Sequence, residues 1–302
     1  MRKPGWPVQL ALLSVIWGFS FFFIKIGDQS LSPLWVVLGR LALGTATIWI
    51  VLASRRERLP RGWRTWGQLA LIALLFNALP WTLFAYGELQ VSSVLAGILN
   101  ATTPLMVAPL AMLFLPDESA TVRRLGGLAI GFLGVLAVLG VWSGLGGQRV
   151  AGALMCLGAA LCYGVATVLA RRLLVGRRES VVSLVTGQLL CATVEVAFFV
   201  PFFARLPTSL PLGAVASVLA LGILGSGAAF VLQYAIIRDA GAVVASMVTY
   251  LIPIVSTVAG VVLLGEAMTW NEPLGALVIM LGIVVSQGTL QRLRQRRAQA
   301  AP

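Results

Sequence analysis

The stretch LIPIVSTVAGVVLLGE, residues 251–266, is apolar enough for a helix in lipid, yet it has a proline near its start and a carboxylate at its end. An upstream stretch, ATTPLMVAPLAMLFLPDE at residues 101–118, has the same outline. Pro253 precedes Glu266 by 13 residues, and the upstream proline and glutamate keep that spacing to within one residue. Two copies of one pattern indicate an internal repeat, and the apolar character indicates a membrane.

The composition supports the same interpretation. The 302 residues are 59% hydrophobic and 11% charged, with a mean hydropathy of +0.96, whereas a soluble domain is about half apolar and a quarter charged. A helix needs about 20 apolar residues to cross about 30 Å of hydrocarbon. Short loops separate the predicted spans, so the chain is predicted to be an all-α polytopic membrane protein. The ten predicted spans are 8–27, 34–53, 67–87, 92–115, 123–142, 150–171, 181–203, 212–234, 242–264 and 272–290.

The basic residues behind the net charge of +12 are distributed as a signal of membrane topology, not as a nucleic-acid-binding surface. With the N-terminus inside, 18 of the 22 Lys and Arg residues fall on the inner side and only three fall outside. Positive loops stay in the cytoplasm, so both termini are predicted to be cytoplasmic. The composition favours a bacterial inner membrane, and the expected partners are the lipid bilayer and a small-molecule substrate, with no nucleic acid.

An internal repeat of about 148 residues divides the chain into halves at 1–145 and 146–302, each with five spans. LNATTP at 99–104 matches VTYLIP at 248–253, and Glu118 matches Glu266. Because five is odd, the second half enters the membrane from the opposite face. Such inverted repeats are typical of secondary transporters, which bind substrate between the repeats and work by alternating access.

The segments WGFSFFFIK at 17–25 and LSPLWVVLGR at 31–40, with the paired proline–glutamate segments, resemble the EamA-type branch of the drug/metabolite transporter superfamily. This resemblance implies ten helices in two inverted five-helix repeats, no cofactor, and transport of small metabolites, often amino acids. It also implies that spans 1, 3 and 4, with their partners 6, 8 and 9, surround a central cavity.

Polar and aromatic residues inside those spans are the candidates for the cavity wall, because a polar group facing lipid is costly. For any single aromatic residue, packing or anchoring at the membrane interface is the alternative. Pro104 and Pro253 are predicted hinges, since proline removes a backbone hydrogen bond from its helix. Glu266 is predicted to be a boundary residue that packs in a loop. The predicted wall residues are Trp17, Asn77, Trp81, Asn100, Thr103, Tyr163, Gln233, Tyr234, Ser246 and Tyr250.

Two charged residues, Arg40 and Glu195, lie inside predicted spans. A buried carboxylate such as Glu195 suits a proton carrier, but a structural ion pair or hydrogen bond is favoured because span 7 is not among the implied cavity helices. Small multidrug relatives use a carboxylate in their first helix, and span 1 has none. Simple cation/proton antiport is therefore disfavoured.

Other function classes lack the residues that they need. The chain has no histidine, and its three aspartates, Asp28, Asp117 and Asp239, fall in predicted loops, which argues against an enzyme or a metal site. An organic-phosphate or nucleotide-sugar carrier would need cationic side chains in the cavity, and Lys25 and Arg40 lie at its predicted margins. A channel or a scaffold is the alternative of another class. The sequence thus predicts a transporter, most simply an amino acid or metabolite exporter, as a monomer or homodimer.

Overall fold

The computed structural model describes residues 5–115, 120–143, 147–174, 177 and 179–287, and in that part of the chain all regular structure is helical. Eight helices are at least 18 residues long and apolar, and two more have 17 residues each. The predicted all-α polytopic fold with ten spans is confirmed. The helices are α1 Trp6–Gly27, α2 Pro33–Ser54, α3 Trp63–Glu88, α4 Ser93–Phe114, α5 Val122–Leu139, α6 Gly147–Leu174, α7 Val181–Phe203, α8 Leu212–Ala240, α9 Val248–Leu264 and α10 Asn271–Gln287.

Polar residues in the loops start several of these helices. The Ser92 hydroxyl accepts a hydrogen bond from the Leu95 backbone N–H at 3.1 Å, and the Ser180 hydroxyl accepts one from the Ser183 N–H at 3.0 Å. Each bond satisfies an N–H that the first helical turn leaves without a partner. Gly140 ends α5 in the left-handed conformation, with φ of 60°.

The helix breaks near Pro104 and Pro253 do not lie at these prolines, which were the predicted hinges. α4 consists of Ser93–Asn100 and Thr103–Phe114 with a turn between them, and Pro104 lies in the first turn of the second segment, where its missing N–H costs little. α9 runs without interruption through Pro253, and its break precedes Val248. The upstream partner of Glu266, Glu118, lies outside the described residues.

Two helices contain π-helical segments that the sequence analysis did not predict. Leu74–Ala78 lies within α3, and Ala220–Ala228 lies within α8. In α3 the cause is local, because Pro80 has no N–H to donate to the Phe76 carbonyl four residues earlier. The wider turn lets the helix continue, and such bulges occur often at functional sites.

Equivalent helices of the two repeats pack against each other. α5 packs along α10, α2 packs on α7, and the first segment of α4 packs on α9. Glycines allow the close α5–α10 contact, since a Cβ at Gly134 would lie 2.6 Å from the Ile279 backbone nitrogen and 3.0 Å from the Gly275 carbonyl oxygen. Close backbone approach of this kind replaces the hydrophobic drive that lipid does not provide.

Candidate substrate cavity

A cavity of about 930 Å³ lies at the centre of the bundle. Most of its wall comes from α1, α3, α4, α6, α8 and α9, the six helices that the resemblance implied, and α7 contributes none of its described wall. Seven of the ten predicted residues border this cavity. These seven are Trp17, Trp81, Asn100, Thr103, Tyr163, Gln233 and Ser246.

The other three predicted residues are absent from the described wall. Asn77 is fully buried, and its Oδ1 accepts a hydrogen bond from Gln188 Nε2 at 2.6 Å. The Tyr250 hydroxyl donates to Gln287 Oε1 at 2.8 Å. Tyr234 packs against the apolar core between α2 and α7. Helical spacing placed them on polar stripes, but each of the three contacts residues of neighbouring helices and none borders the described cavity.

Arg40 lies in the wall, although the sequence analysis placed it at the margin. It is only 7% exposed, and its guanidinium carbon lies 3.8 Å from the centroid of the Trp81 ring. Its Nε–H donates to the Ser226 hydroxyl at 3.2 Å. No described carboxylate forms an ion pair with it, so the predicted ion-pair role is not seen in this part of the chain.

The π-helical segment of α8 brings backbone close to Arg40. The Gly225 carbonyl accepts a hydrogen bond from Trp17 Nε1 at 3.1 Å. A Cβ at Gly225 would lie 3.3 Å from Ser20 Oγ and 3.9 Å from Arg40 Nη2. Ser20, Gly225 and Arg40 all border the cavity, so one patch of its wall combines hydroxyl, carbonyl and guanidinium groups.

Aromatic rings form the neighbouring part of the wall. The Tyr163 ring lies 5.4 Å from Phe76 and 6.2 Å from Phe84, measured between centroids. Phe84 in turn meets Phe21 edge to face at 5.5 Å. All four rings border the cavity, which therefore has a large apolar surface beside the polar patch.

The cavity reaches only one end of the bundle. At that end its wall includes Trp6, Arg124, Arg171 and Gln287, at the first turns of α1 and α5 and the last turns of α6 and α10. Toward the other end, the α1 and α3 residues of the wall stop at Ile24 and Phe84.

Hydrogen bonds join the helices beyond that limit. Lys25 Nζ donates to the backbone carbonyls of Glu88 and Val91. The Glu266 carboxylate accepts hydrogen bonds from the Ser93 N–H at 2.9 Å, the Ser93 hydroxyl at 2.8 Å and the Val94 N–H at 3.1 Å. These contacts tie α1 to α3 and the end of α9 to the start of α4, so this end of the bundle is closed.

The EamA-like transporter family model matches the chain twice, at residues 5–140 and 150–287. The chain belongs to the EamA-like transporter family. It is thus a multi-pass membrane transporter of the drug/metabolite transporter superfamily. Each match covers one set of five helices.

Two relatives of this EamA-like protein are matched over nearly its whole length, and a third is matched over about half of it. The uncharacterized transporter YoaV of Bacillus subtilis is 27% identical over 94% of this chain and 98% of its own. An uncharacterized transporter of Archaeoglobus fulgidus is 24% identical over 92% of this chain and 97% of its own. Protein PagO of Salmonella typhimurium is 28% identical over 46% of this chain and 45% of its own.

A solved crystal structure also resembles this EamA-like transporter. It is 21% identical in sequence, superposes with a TM-score of 0.66, and is matched over 92% of this chain and 96% of that chain. At this level of identity the likeness concerns the fold. It agrees with the ten-helix arrangement described above.

Glu195 of this transporter stands apart from the cavity. It is half-buried on α7, and its Oε2 is buried without a hydrogen-bond partner in the described structure. Neither the predicted ion pair nor the predicted hydrogen bond to a neighbouring helix is present among the described residues. The position on α7 separates Glu195 from the described wall.

Sequence reasoning missed several wall residues, notably Ser20, Phe76 and Gly225. Ser20 belongs to the first span, which supplied the candidate Trp17. Phe76 directly precedes Asn77, so a rotation of α3 by one residue decides that Phe76 rather than Asn77 borders the cavity. Pro80 is the sequence feature that indicates the local change in facing within α3. Gly225 carries no side chain, and nothing in its residue type indicates a wall position.

Proposed function

We propose that this EamA-like transporter is a secondary transporter that exports small organic metabolites, amino acids foremost, by alternating access. The observation that carries the proposal is the cavity of about 930 Å³, which reaches one end of the bundle and is closed at the other. Its size falls within the range of small-molecule sites. Its wall of aromatic rings with a few amides and hydroxyls suits a solute that has an apolar body and polar ends.

Alternating access requires the closed end to open and the other end to close. The break within α4 and the break before α9 suit such a movement, because the residues at these breaks border the cavity. Asn100, Thr103 and Pro104 flank the break in α4, and Ser246 and Met247 lie at the break before α9. We assign the movement to these breaks, with Pro104 and Pro253 stiffening the segments that follow.

The open end of the cavity is the cytoplasmic end in this proposal. Arg124 and Arg171 lie there, among the basic residues that the positive-inside pattern assigns to the cytoplasm. Both termini are then cytoplasmic in a bacterial inner membrane, and the structure represents the inward-facing state, ready to load an exported solute. The partners are the lipid bilayer and the small-molecule substrate, with the chain acting as a monomer or homodimer.

An organic-phosphate or nucleotide-sugar carrier is the second candidate, and Arg40 in the wall favours it more than the sequence alone did. A phosphate dianion requires more than one cation or hydrogen-bond fork for tight binding. Among the described residues of the wall, Arg40 is the only cation away from the open end, since Arg124 and Arg171 belong to that end. An amino acid or another solute with a single carboxylate therefore leads.

The proposal is tested with purified protein in liposomes. Vesicles loaded with radiolabelled L-leucine, L-phenylalanine or glycerol 3-phosphate are diluted into unlabelled buffer, and efflux is compared with that from protein-free vesicles. Saturable, protein-dependent efflux of an amino acid supports the proposal, and preferential efflux of the phosphate ester supports the second candidate. Efflux that rises linearly with the loaded concentration, without saturation, would indicate a channel instead.

A further inference from the structure

Arg40 is a buried cation that forms no ion pair with a carboxylate among the described residues. Its Nε–H donates to the neutral Ser226 hydroxyl, and its guanidinium group stacks over the Trp81 ring. A buried charge is costly unless an opposite charge meets it. The Nη groups retain a planar fork of N–H donors, whose shape matches a carboxylate.

The charge of the cavity wall has one sign. Arg40, Arg124 and Arg171 border the cavity, and no Asp or Glu does so among the wall residues that the structure describes. Around Arg40 the wall therefore attracts anions and repels cations that lack a compensating negative group. A cationic drug would find no carboxylate partner in this part of the wall.

The groups next to Arg40 complete a site for a carboxylate with an apolar body. The guanidinium group stacks over Trp81 and has the Gly225 backbone beside it, and Gly225 in turn lies next to Ser20 and accepts a hydrogen bond from Trp17. The planar fork of N–H donors on the guanidinium group can bond both oxygens of one carboxylate. The aromatic rings next to this polar patch offer the apolar surface.

Resting on the proposed function, we propose that Arg40 binds the carboxylate of the transported solute, so that the substrates are organic monocarboxylates with an apolar or aromatic body, zwitterionic amino acids included. The ammonium group of an amino acid then lies against aromatic faces, where cation–π attraction compensates for the missing carboxylate. The amides of Asn100 and Gln233 provide further acceptors along the same wall.

The first test uses the wild-type protein in liposomes and solutes that share one ring. L-phenylalanine and 3-phenylpropionate keep the carboxylate, whereas L-phenylalaninamide and phenylethylamine lack it. Inhibition of labelled L-phenylalanine efflux is measured for each unlabelled solute. We expect both carboxylates to inhibit about 10- to 100-fold more strongly than the amide and the amine, the range of a lost charged hydrogen bond.

The second test changes the cation. Arg40→Gln removes the charge, and Arg40→Lys keeps the charge but loses the planar fork. We expect Arg40→Gln to lose the preference for carboxylates over the amide and Arg40→Lys to retain part of it. Arg205→Gln is the matched control, because Arg205 is exposed between α7 and α8, and it should leave the preference unchanged.

The outcomes separate the two proposals. Equal inhibition by phenylalanine and its amide in the wild type, or an unchanged preference in Arg40→Gln, overturns the assignment of Arg40 while export itself stands. Stronger inhibition by glycerol 3-phosphate than by any carboxylate overturns it too. Absence of flux for every probe in folded wild-type protein overturns the proposed function. If Arg40→Gln fails to fold, the inhibition series with the wild-type protein and the carboxylate preference of Arg40→Lys test the assignment of Arg40.

Discussion

Thr45 of α2 and Thr193 of α7 are equivalent residues of the two repeats, and their hydroxyl oxygens lie 2.9 Å apart, 148 positions from each other in sequence. Thr193 donates its own proton to the Leu189 carbonyl at 2.8 Å, so Thr45 is the donor of the shared bond. A residue can contact its own counterpart only where the pseudo-two-fold axis passes between them. The axis therefore runs between α2 and α7.

The Thr45–Thr193 bond should couple the two repeats energetically. In a double-mutant cycle with Thr45→Val and Thr193→Val, we expect a coupling of about 0.6 kcal/mol, the average for hydrogen bonds between membrane helices. Chemical unfolding in bicelles measures it. Thr47 donates to the Leu43 carbonyl of its own helix at 2.7 Å, so Thr47→Val with Thr193→Val should be additive. Additivity in the Thr45 cycle as well would contradict the expectation.

A side chain at Gly134 should disrupt the close contact between α5 and α10. A methyl group there meets the Ile279 nitrogen at 2.6 Å, so Gly134→Ala should separate the helices and cost about 1–3 kcal/mol of unfolding free energy. Gly126 is the control on the same helix, because a Cβ there has open space. Gly126→Ala should therefore leave the thermal midpoint unchanged or slightly raised. Equal midpoints for both variants would show that the backbones do not approach so closely.

Glu266 should stabilise the closed end of the bundle. Its carboxylate accepts three hydrogen bonds at the start of α4, so Glu266→Ala should lower the unfolding free energy by about 1–3 kcal/mol. Glu266→Gln keeps an acceptor and should lose less. Met268→Ala changes a partly exposed residue in the same loop and serves as the control. If Glu266→Ala lowers the unfolding free energy no more than Met268→Ala does, the result contradicts the capping role of Glu266.

Asp28, in the loop after α1, should make stability depend on pH. Burial raises the pKa of its carboxyl group from 3.8 to about 8, and the positive charge of Lys25 offsets part of this rise. The folded protein therefore keeps a proton that the unfolded chain releases, and stability falls as the pH rises from about 4 to about 8. Asp28→Asn should raise the thermal midpoint at pH 9 and change it little at pH 4. Parallel pH curves for the variant and the wild type would contradict this.

Residues of the cavity wall should affect transport without affecting insertion. Trp17→Ala removes a ring and its hydrogen bond to Gly225, and Asn100→Ala removes an amide, so each should reduce amino acid efflux about tenfold or more. Phe202→Ala is the aromatic control, because Phe202 is 69% exposed on α7. Wild-type flux in both wall variants would reject the cavity assignment.

Glu195→Gln is a further control in the same assay. Because Glu195 lies outside the described wall, this change should leave the pH dependence of efflux as it is. Loss of pH-driven flux in Glu195→Gln would instead assign the coupled proton to α7.

The ten spans and the repeat followed from the sequence by itself, because hydropathy depends on composition along the chain and lipid requires a helix wherever a long apolar run crosses it. The cavity helices followed from the family resemblance. The repeated proline–glutamate outline likewise indicated that Glu266 lies at a helix boundary, although it did not predict that Glu266 caps α4. These features are local, or repeat at a fixed distance, so no knowledge of packing was needed to find them.

Only the tertiary structure decided which side chains meet. Arg40 and Gln188 occupy equivalent positions of the two repeats. Yet Arg40 borders the cavity beside Ser226, while Gln188 is bound to Asn77 outside the described wall. The rotation of each helix about its axis depends on the ridges and glycines of its neighbours, and the π-helical segments of α3 and α8 shift that rotation further. Depth along a helix can be counted from the sequence, but facing is set by packing between residues that are distant in the chain.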